Sequence, residues 1–386
     1  MIPYGKHSIS EEDIKAVVET LRSERLTQGP KVEEFEQALC EKFGCEYAVA
    51  VNSGTMALHL AYKALGVVEG DEVVTSPNTF VATANGILYN GGIPRFIDID
   101  PETYNLSTEK LEEHLSNSEN RKNLKGIAPV HFAGLPCGME KIYELAKQYD
   151  LFVLEDACHA PGAEYKDEAG CWYEVGSCVH SDAAVLSFHP VKHITSGEGG
   201  AVLTNDKNLA EKIRILRTHG ITKNPRQIQD NHGPWYYEMQ QLGFNGRITD
   251  LQCALGISQL TRLDEFVDRR RQIARRYDSV FKSIPEIKAP RVGDNCKHAY
   301  HLYVIRCQDR DRLFEYLLEN DISPQVHYIP VHLQPYYQEK FGYSLGEYPE
   351  AEKYYTQALS LPVFFGLKKP EQKKVCSKVK TFYEQR

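Results

Sequence analysis

Short apolar segments alternate with helical segments along the first half of the chain, and this order restricts the fold more than any other feature. The predicted strands cover residues 47–51, 73–75, 95–97, 127–130, 151–154, 183–186 and 201–204. The predicted helices cover residues 32–43, 56–65, 108–115 and 139–149, with a further one from about residue 80. Because strands separated by helices of ten or more residues pair in parallel, the pattern predicts an α/β fold with a mostly parallel central sheet covered on both faces.

The length of the chain predicts a second lobe. A chain of 386 residues is long for one core, and its 42% of hydrophobic residues is enough to fill two. We predict a large domain over residues 1–248, with an N-terminal arm, and a smaller α+β domain over residues 249–386. In the smaller domain, residues 300–306 and 323–328 are strand candidates, and the arginines at 269–271 are interpreted as part of a solvated helix face.

A lysine lies between two of the predicted strands. Lys192 ends the sequence Ser-Phe-His-Pro-Val-Lys, and a glycine-rich return at 197–200 leads into the next strand. Burial destabilises an ammonium group, so a lysine delivered from the end of a buried strand has a lowered pKa and can act as a Schiff-base nucleophile. Taken alone, Lys192 would be interpreted as an ordinary loop lysine, as most lysines are.

An aspartate ends another predicted strand. The apolar residues at 151–154 run into Glu155 and Asp156, which is typical of a parallel strand whose C-terminal end opens into a ligand crevice. Asp156 suits a protonated ring nitrogen, the contact that a pyridoxal phosphate (PLP) enzyme requires, although it could instead cap the next helix. Together, Asp156 and Lys192 predict the two ends of a PLP site.

The turn Ser53-Gly54-Thr55 is a candidate phosphate site. It lies where a predicted strand turns into a helix, so backbone N–H groups and the helix dipole face an anion. Ser187 could add a hydroxyl group. Many helix N-caps have a similar sequence, and the turn lacks the lysine and the glycine spacing of an ATP-binding loop.

Two further ring side chains could complete the site. Phe80 lies just after a strand, at the start of a helix, and could stack on a planar pyridine ring; a core phenylalanine is the alternative. His159 follows Asp156 closely and could hydrogen-bond the phenolic oxygen or the phosphate side of the cofactor; a satisfied core histidine is the alternative. Cys158 is interpreted as a packing residue.

These motifs, with the segments at 25–30, 243–247 and 326–330, give the chain a resemblance over nearly its whole length to the DegT/StrS family of nucleotide-sugar aminotransferases. The resemblance implies the aspartate-aminotransferase type of fold (fold type I) and PLP as cofactor. Within the family, the Ser-Phe-His-Pro-Val-Lys and Val-His-Tyr-Ile-Pro runs look most like the branch that aminates C4 of a UDP-linked 4-keto-6-deoxy N-acetylhexosamine on the pseudaminic acid pathway.

The resemblance also implies roles for the site residues. It makes Lys192 and Asp156 catalytic, with the cofactor further held by Ser53, Gly54, Thr55, Phe80, His159, Ser187 and Asn245. It implies a homodimer with shared active sites, in which Asn245 reaches the phosphate of the neighbouring subunit's cofactor. Gly246 departs from the bulkier, often aromatic residue expected after that asparagine.

The implied substrates are L-glutamate and a UDP-linked keto sugar. The implied contacts with the UDP-sugar are Tyr4, Arg25, Leu26, Thr27, His327, Tyr328, Ile329 and Pro330. Arg25 suits a diphosphate because a guanidinium binds it through two parallel hydrogen bonds. The plain alternatives are a terminal aromatic packed on the core, a helix-end arginine and a buried strand histidine.

Several other functions are weighed against transamination. The dehydratases of keto-sugar pathways carry histidine in place of the lysine, whereas here Lys192 is present and His193 merely follows it. A cysteine desulfurase would need a catalytic cysteine on a mobile loop, and no such loop can be identified. A transaminase for a dTDP- or GDP-linked sugar, aminated at C3 or C4, and a non-catalytic PLP-fold sensor are the remaining alternatives.

Composition restricts the partners. A net charge of −8 and a pI of about 6.0 argue against nucleic acid. No apolar run approaches the length of a membrane span, and the first residues do not begin a signal peptide. The ten cysteines include no Cys-x-x-Cys pair and no cluster with zinc spacing. We therefore predict a cytoplasmic enzyme with no membrane anchor, reduced thiols and no metal site.

Overall fold

The computed structural model describes residues 1–230 and 232–385. The strands of this part are β1 (Ile2–Pro3), β2 (Tyr47–Val51), β3 (Glu72–Thr75), β4 (Ile93–Phe96), β5 (Leu124–Ala128), β6 (Phe152–Asp156), β7 (Glu164–Lys166), β8 (Trp172–Glu174), β9 (Ala183–Ser187), β10 (Gly200–Thr204), β11 (Ile221–Thr222), β12 (Glu238–Met239), β13 (Ile287–Lys288), β14 (Cys296–Lys297), β15 (Tyr303–Cys307), β16 (Ile322–Ser323) and β17 (Ala358–Leu361). The α-helices are α1 (Glu11–Leu21), α2 (Pro30–Phe43), α3 (Gly54–Ala64), α4 (Ala82–Leu88), α5 (Thr108–Ser116), α6 (Met139–Gln148), α7 (Lys207–Arg217), α8 (Asp250–Leu260), α9 (Leu263–Phe281), α10 (Arg310–Glu319), α11 (Pro335–Phe341), α12 (Pro349–Gln357) and α13 (Lys369–Glu384).

The largest sheet has seven strands in the order β2-β10-β9-β6-β5-β3-β4. Strand β10 runs against its neighbours β2 and β9, and the other pairs are parallel. The strands predicted in the first half of the chain are confirmed to within a few residues at each end. The expected α/β fold with a mostly parallel sheet is therefore confirmed.

The sheet is buried on both faces, which explains the near-continuous apolar strands. Successive side chains of a strand point to opposite faces. On β9, Ala184 and Leu186 belong to a cluster formed with α2, α5, α6 and α8, while Ala183 and Val185 belong to a cluster formed with α3, α4 and α7. The polar residues Asp156 and Ser187 stand at the C-terminal ends of β6 and β9, and the functional site is found at this end of the sheet.

A second core is built around the antiparallel sheet β13-β15-β17 and the helices α9, α10 and α13. The N-terminal arm reaches this part of the molecule, because Ile2 pairs with Ile322 in a short parallel ladder. Helix α8 and the first turns of α9 pack in the core of the large sheet, whereas α9 from Ile273 onward lines the second core. The division into residues 1–248 and 249–386 stays a prediction.

The strand predicted at 323–328 is wrong beyond Ser323. Pro324 has no N–H to donate to a ladder, and after it only Gln325 pairs, in an isolated bridge with Ser360. None of the described helices combines the length and the apolar character needed to cross a membrane.

The interpretation of all three arginines at 269–271 as solvated is wrong for Arg270, which is buried on the apolar stripe of α9. Its guanidinium donates hydrogen bonds to the carbonyl oxygens of Tyr300 (3.2 Å), His301 (3.1 Å) and Val363 (2.8 Å). Burial lowers the pKa of Arg270 to about 10. The side chain thereby joins α9 to the segment that precedes β15 and to the segment that follows β17.

We expect Arg270→Ala to lower the free energy of unfolding by roughly 3 kcal/mol or more, since it leaves three buried carbonyl oxygens without a donor. Urea denaturation of Arg270→Ala and of the exposed control Arg276→Ala measures the difference. Equal stability of the two variants would contradict the structural role of Arg270.

Candidate active site

A cavity of about 480 Å³ opens at the edge of the large sheet where the parallel strands end. Its lining contains eleven of the residues predicted from sequence: Tyr4, Ser53, Gly54, Thr55, Phe80, Asp156, His159, Ser187, Lys192, His327 and Tyr328. Strands β2, β3, β6 and β9 all point their C-terminal ends toward this edge, and β10 starts there. The topology brings together segments that are far apart in sequence.

Lys192 lies in the loop that joins β9 to β10. The loop is closed at its base by the pairing of Ser187 with Gly200 and by the main-chain hydrogen bond from Phe188 to Gly199. Burial lowers the pKa of the Lys192 amine, while the nearby Cys158 and Asp156 oppose that shift. The partial desolvation expected of this lysine agrees with its lowered pKa.

Asp156 is the last residue of β6 and is almost fully buried. Its Oδ2 accepts a hydrogen bond from the Thr83 hydroxyl (2.6 Å), and its Oδ1 accepts one from the main-chain N–H of Cys158 (3.2 Å). The residues that follow Asp156 form a turn, so the alternative role as a helix cap is wrong. The carboxylate is fixed, and its side chain lines the cavity.

A buried polar network supports the strand end from behind. Glu155, on the opposite face of β6, is paired with His131 (Nε2 to Oε2, 2.9 Å) and accepts a hydrogen bond from Ser181 (2.5 Å). Nδ1 of His131 accepts a hydrogen bond from the main-chain N–H of Cys137 (3.0 Å), so the ring proton is on Nε2 and is donated to Glu155. Because Asp156 and Glu155 are consecutive, this hydrogen bond holds the backbone from which Asp156 projects.

The turn between β2 and α3 provides a cradle for an anion. Ser53 is the N-cap of α3, and its Oγ accepts from the N–H of Met56 (3.1 Å). A Cβ added to Gly54 would lie 2.9 Å from Cβ of Ser187. The first N–H groups of α3 and the hydroxyls of Ser53 and Ser187 therefore lie close together, at a position where only a glycine fits. This arrangement suits the phosphate of PLP.

Phe80 and His159 provide ring surfaces at the cavity. Phe80 precedes α4 and is 54% exposed, so the alternative of a core phenylalanine is wrong. His159 is buried, its Nε2 lies 3.1 Å from the hydroxyl of Tyr328, and its Nδ1 has no partner within the described chain. Burial and the charge of Lys192 hold the pKa of His159 well below its usual range, which keeps the imidazole neutral.

Tyr4 and His327 form another part of the lining. Their rings lie 5.0 Å apart, and Nδ1 of His327 is 2.8 Å from the Ser360 hydroxyl. Burial and Lys192 lower the pKa of His327 to about 3. His327 lies outside any strand, which corrects the strand-histidine alternative. The N-terminal arm thus contributes a side chain to the cavity.

Six predicted residues are not among those that line the cavity: Arg25, Leu26, Thr27, Asn245, Ile329 and Pro330. Backbone contacts hold Leu26 and Thr27 against residues 249–250, because Thr27 bridges Thr249 and the Leu26 carbonyl accepts from Asp250, whereas Asn245 bridges Thr218. Gly246 packs against Met56, whose Cγ would lie 3.0 Å from an added Cβ. A bulkier residue at 246 would not fit without a shift of Met56. The roles of these six residues stay predictions.

The structure adds residues that sequence reasoning missed. Thr79, His189 and Glu198 line the cavity, and Thr83 contacts Asp156. The sequence shows Thr79 and Thr83 four residues apart, but Thr79 precedes α4 (Ala82–Leu88), so helical spacing does not place the two on one face.

We expect Gly54→Ala to weaken PLP binding roughly tenfold or more, because the methyl group overlaps Ser187 and forces the turn apart at a cost of about 1–3 kcal/mol. The control is Gly138→Ala, whose added Cβ would lie no closer than 3.4 Å to Thr108. Titration of each apoprotein with PLP measures the effect. Unchanged affinity in Gly54→Ala would contradict the phosphate cradle.

Comparisons with known proteins agree on one family. The model for the DegT/DnrJ/EryC1/StrS aminotransferase family matches residues 7–380. Spore coat polysaccharide biosynthesis protein SpsC of Bacillus subtilis (strain 168) is 43% identical over 370 residues, covering 94% of this chain and 92% of SpsC. The UDP-4-amino-4,6-dideoxy-N-acetyl-beta-L-altrosamine transaminase of Campylobacter jejuni serotype O:23/36 is 41% identical over 368 residues, covering 94% and 92% of the two chains.

Solved structures have the same architecture. Helicobacter pylori PseC, named as an aminotransferase involved in the biosynthesis of pseudoaminic acid, superposes with a TM-score of 0.90 at 34% identity over 100% of both chains. The PLP-form of Spr1654 from Streptococcus pneumoniae superposes with a TM-score of 0.89 at 28% identity, over 100% of this chain and 99% of that one. The fold and the cofactor predicted from sequence are confirmed. The chain belongs to the DegT/DnrJ/EryC1/StrS aminotransferase family and is a PLP-dependent aminotransferase.

Proposed function

We propose that the protein transfers the amino group of L-glutamate to the 4-keto carbon of a UDP-linked 4-keto-6-deoxy N-acetylhexosamine, in the biosynthesis of a pseudaminic-acid-type sugar. The observation that carries the proposal is the meeting of Lys192 and Asp156 in one cavity with Tyr4, His327 and Tyr328. The names of the Campylobacter relative and of PseC support the choice of sugar.

Lys192 is proposed to carry the proton of the reaction. PLP, when bound, supplies a carbonyl carbon for this amine and a ring that accepts carbanion charge. Because burial lowers the pKa of Lys192, its amine gives up its proton more readily than that of an exposed lysine. As a free amine, Lys192 would take a proton from the α-carbon of the donor amino acid as general base and deliver it to the cofactor as general acid. The same amine serves both half-reactions.

Asp156 is proposed to hold the proton on the ring nitrogen. It accepts from Thr83 and Cys158, and an ionised carboxylate has room for about two further donors. The exposed ring of Phe80 would cover one face of the pyridine, and His159, whose Nδ1 is free of protein partners among the described residues, would orient the phenolic side. These side chains together exclude water from the reacting atoms.

The residues outside the cavity are proposed to act across a dimer. Asn245, Arg25 and Leu26 are all exposed on the protein. We propose that they complete the active site of a neighbouring subunit, with Asn245 toward the cofactor phosphate.

The ten cysteines, all of which lie in the described part, are free thiols, which fits the proposed cytoplasmic location.

Another nucleotide keto sugar is the second candidate substrate. SpsC, at 43% identity, is named for spore coat polysaccharide biosynthesis. A dTDP- or GDP-linked sugar, aminated at C3 or C4, would use the same Lys192 and Asp156 and would differ only in the contacts around Tyr4 and His327.

We expect Lys192→Ala to abolish turnover and the visible absorbance of the lysine-bound cofactor, because no other amine at this site can hold PLP covalently. Spectra and single-turnover assays on Lys192→Ala measure both, with the exposed Lys15→Ala as control. A yellow, active Lys192→Ala protein would show that another lysine serves the reaction.

We expect the aminated form of the enzyme to convert the UDP-linked 4-keto sugar and to leave dTDP- and GDP-linked keto sugars unchanged. The measurement is mass spectrometry of the products after each sugar is offered, with release of 2-oxoglutarate from L-glutamate followed in parallel. Reaction with dTDP sugars only would refute the proposed substrate and leave the family assignment intact.

A further inference from the structure

Two buried threonine hydroxyls form a chain that ends on Asp156. Oγ1 of Thr83 lies 2.6 Å from Oδ2 of Asp156, and Oγ1 of Thr79 lies 2.8 Å from Oγ1 of Thr83. Both threonines are at most 2% exposed. Thr79 lines the cavity, so the chain starts at the cavity wall and runs behind it to the carboxylate.

The direction of this chain follows from the number of protons. The Thr83 hydroxyl has one proton and three candidate acceptors: Asp156 at 2.6 Å, the Thr79 hydroxyl oxygen at 2.8 Å and the Phe80 carbonyl oxygen at 3.3 Å. The closest, charged acceptor takes it, since charge-assisted hydrogen bonds are the stronger ones. The proton of Thr79 is then the one that lies between the two hydroxyls. Each hydroxyl therefore donates in the direction of the carboxylate.

The same turn also carries the ring-face residue. Phe80 lies between the two threonines, and the Thr83 N–H is bonded to the Phe80 carbonyl oxygen (3.3 Å). The hydroxyl of Tyr62 fixes this turn from α3 by donating to the main-chain oxygen of Thr83 (3.3 Å). A displacement of Asp156 would therefore be transmitted to Phe80, because one hydrogen-bonded turn connects them.

We propose that Thr83, supported by Thr79, is a positioning residue that fixes the Asp156 carboxylate relative to Phe80 for the ring nitrogen of PLP. The proposal rests on the role proposed above for Asp156 and is independent of the sugar. Thr83 acts through Asp156 and does not itself contact the reacting atoms. Thr79 keeps the Thr83 hydroxyl aimed at the carboxylate.

The test compares PLP affinity and the visible spectrum of the lysine-bound cofactor in a set of threonine variants. We expect Thr83→Val to weaken PLP binding roughly tenfold and to shift the spectrum, since a charged acceptor loses its donor. Thr83→Ser keeps the hydroxyl and should stay within about threefold of the native protein, and Thr79→Val should lie between the two. The matched control is Thr75→Val, a buried threonine on β3 whose hydroxyl donates to the main-chain oxygen of Ala128 (2.8 Å).

A double-variant cycle separates positioning from a general loss of packing. We expect Thr83→Val to add little to the loss caused by Asp156→Asn, because both changes remove one interaction. The proposal is overturned if Thr83→Val binds PLP like the native protein, if Thr83→Ser is as weak as Thr83→Val, if Thr75→Val loses as much, or if the two effects are additive. These titrations contain no sugar, so failure of the proposed substrate would leave their outcome unchanged.

Discussion

The placement of an amine, Lys192, and a carboxylate, Asp156, in one cavity is the constraint on which the site depends. Burial lowers the pKa of the lysine, and the neighbouring aspartate limits that effect. A buried carboxylate is tolerated only when donors satisfy it, and Asp156 has Thr83 and a main-chain N–H for this purpose. The chemistry proposed for the protein therefore requires the hydrogen bonds around Asp156 as much as Asp156 and Lys192 themselves.

The parallel sheet provides the two faces that this arrangement needs. Consecutive residues of β6 point in opposite directions, so Asp156 faces the cavity while Glu155 is held from behind by His131 and Ser181. The strand end is thus fixed on both sides. The loop with Lys192 is fixed at its base by the antiparallel pairing of β9 with β10. The turn between β2 and α3 can approach the end of β9 closely because Gly54 has no side chain where it faces Ser187.

Much of the fold could be predicted because its signals are local. Apolar runs separated by helical periods gave the central strands to within a few residues. The two errors have different causes. The strand predicted at 323–328 fails at Pro324, a local signal that the prediction passed over. The burial of Arg270 depends on carbonyl oxygens of Tyr300, His301 and Val363, which cannot be read from the residues next to it.

The sequence by itself determined the chemistry: a lysine after a buried strand, an aspartate at the end of another, and a helix N-terminus suited to a phosphate. These depend on residue type and near neighbours, which the chain order contains. Only the tertiary structure decided that Tyr4 of the N-terminal arm lines the cavity and that the hydroxyls of Thr79 and Thr83 point to Asp156. The physical reason is that hydrogen bonds and burial join side chains that folding brings together. Thr83 and Asp156 are 73 positions apart in the sequence. They become neighbours because β3, which leads to Thr83, and β6, which ends at Asp156, finish on the same side of one sheet.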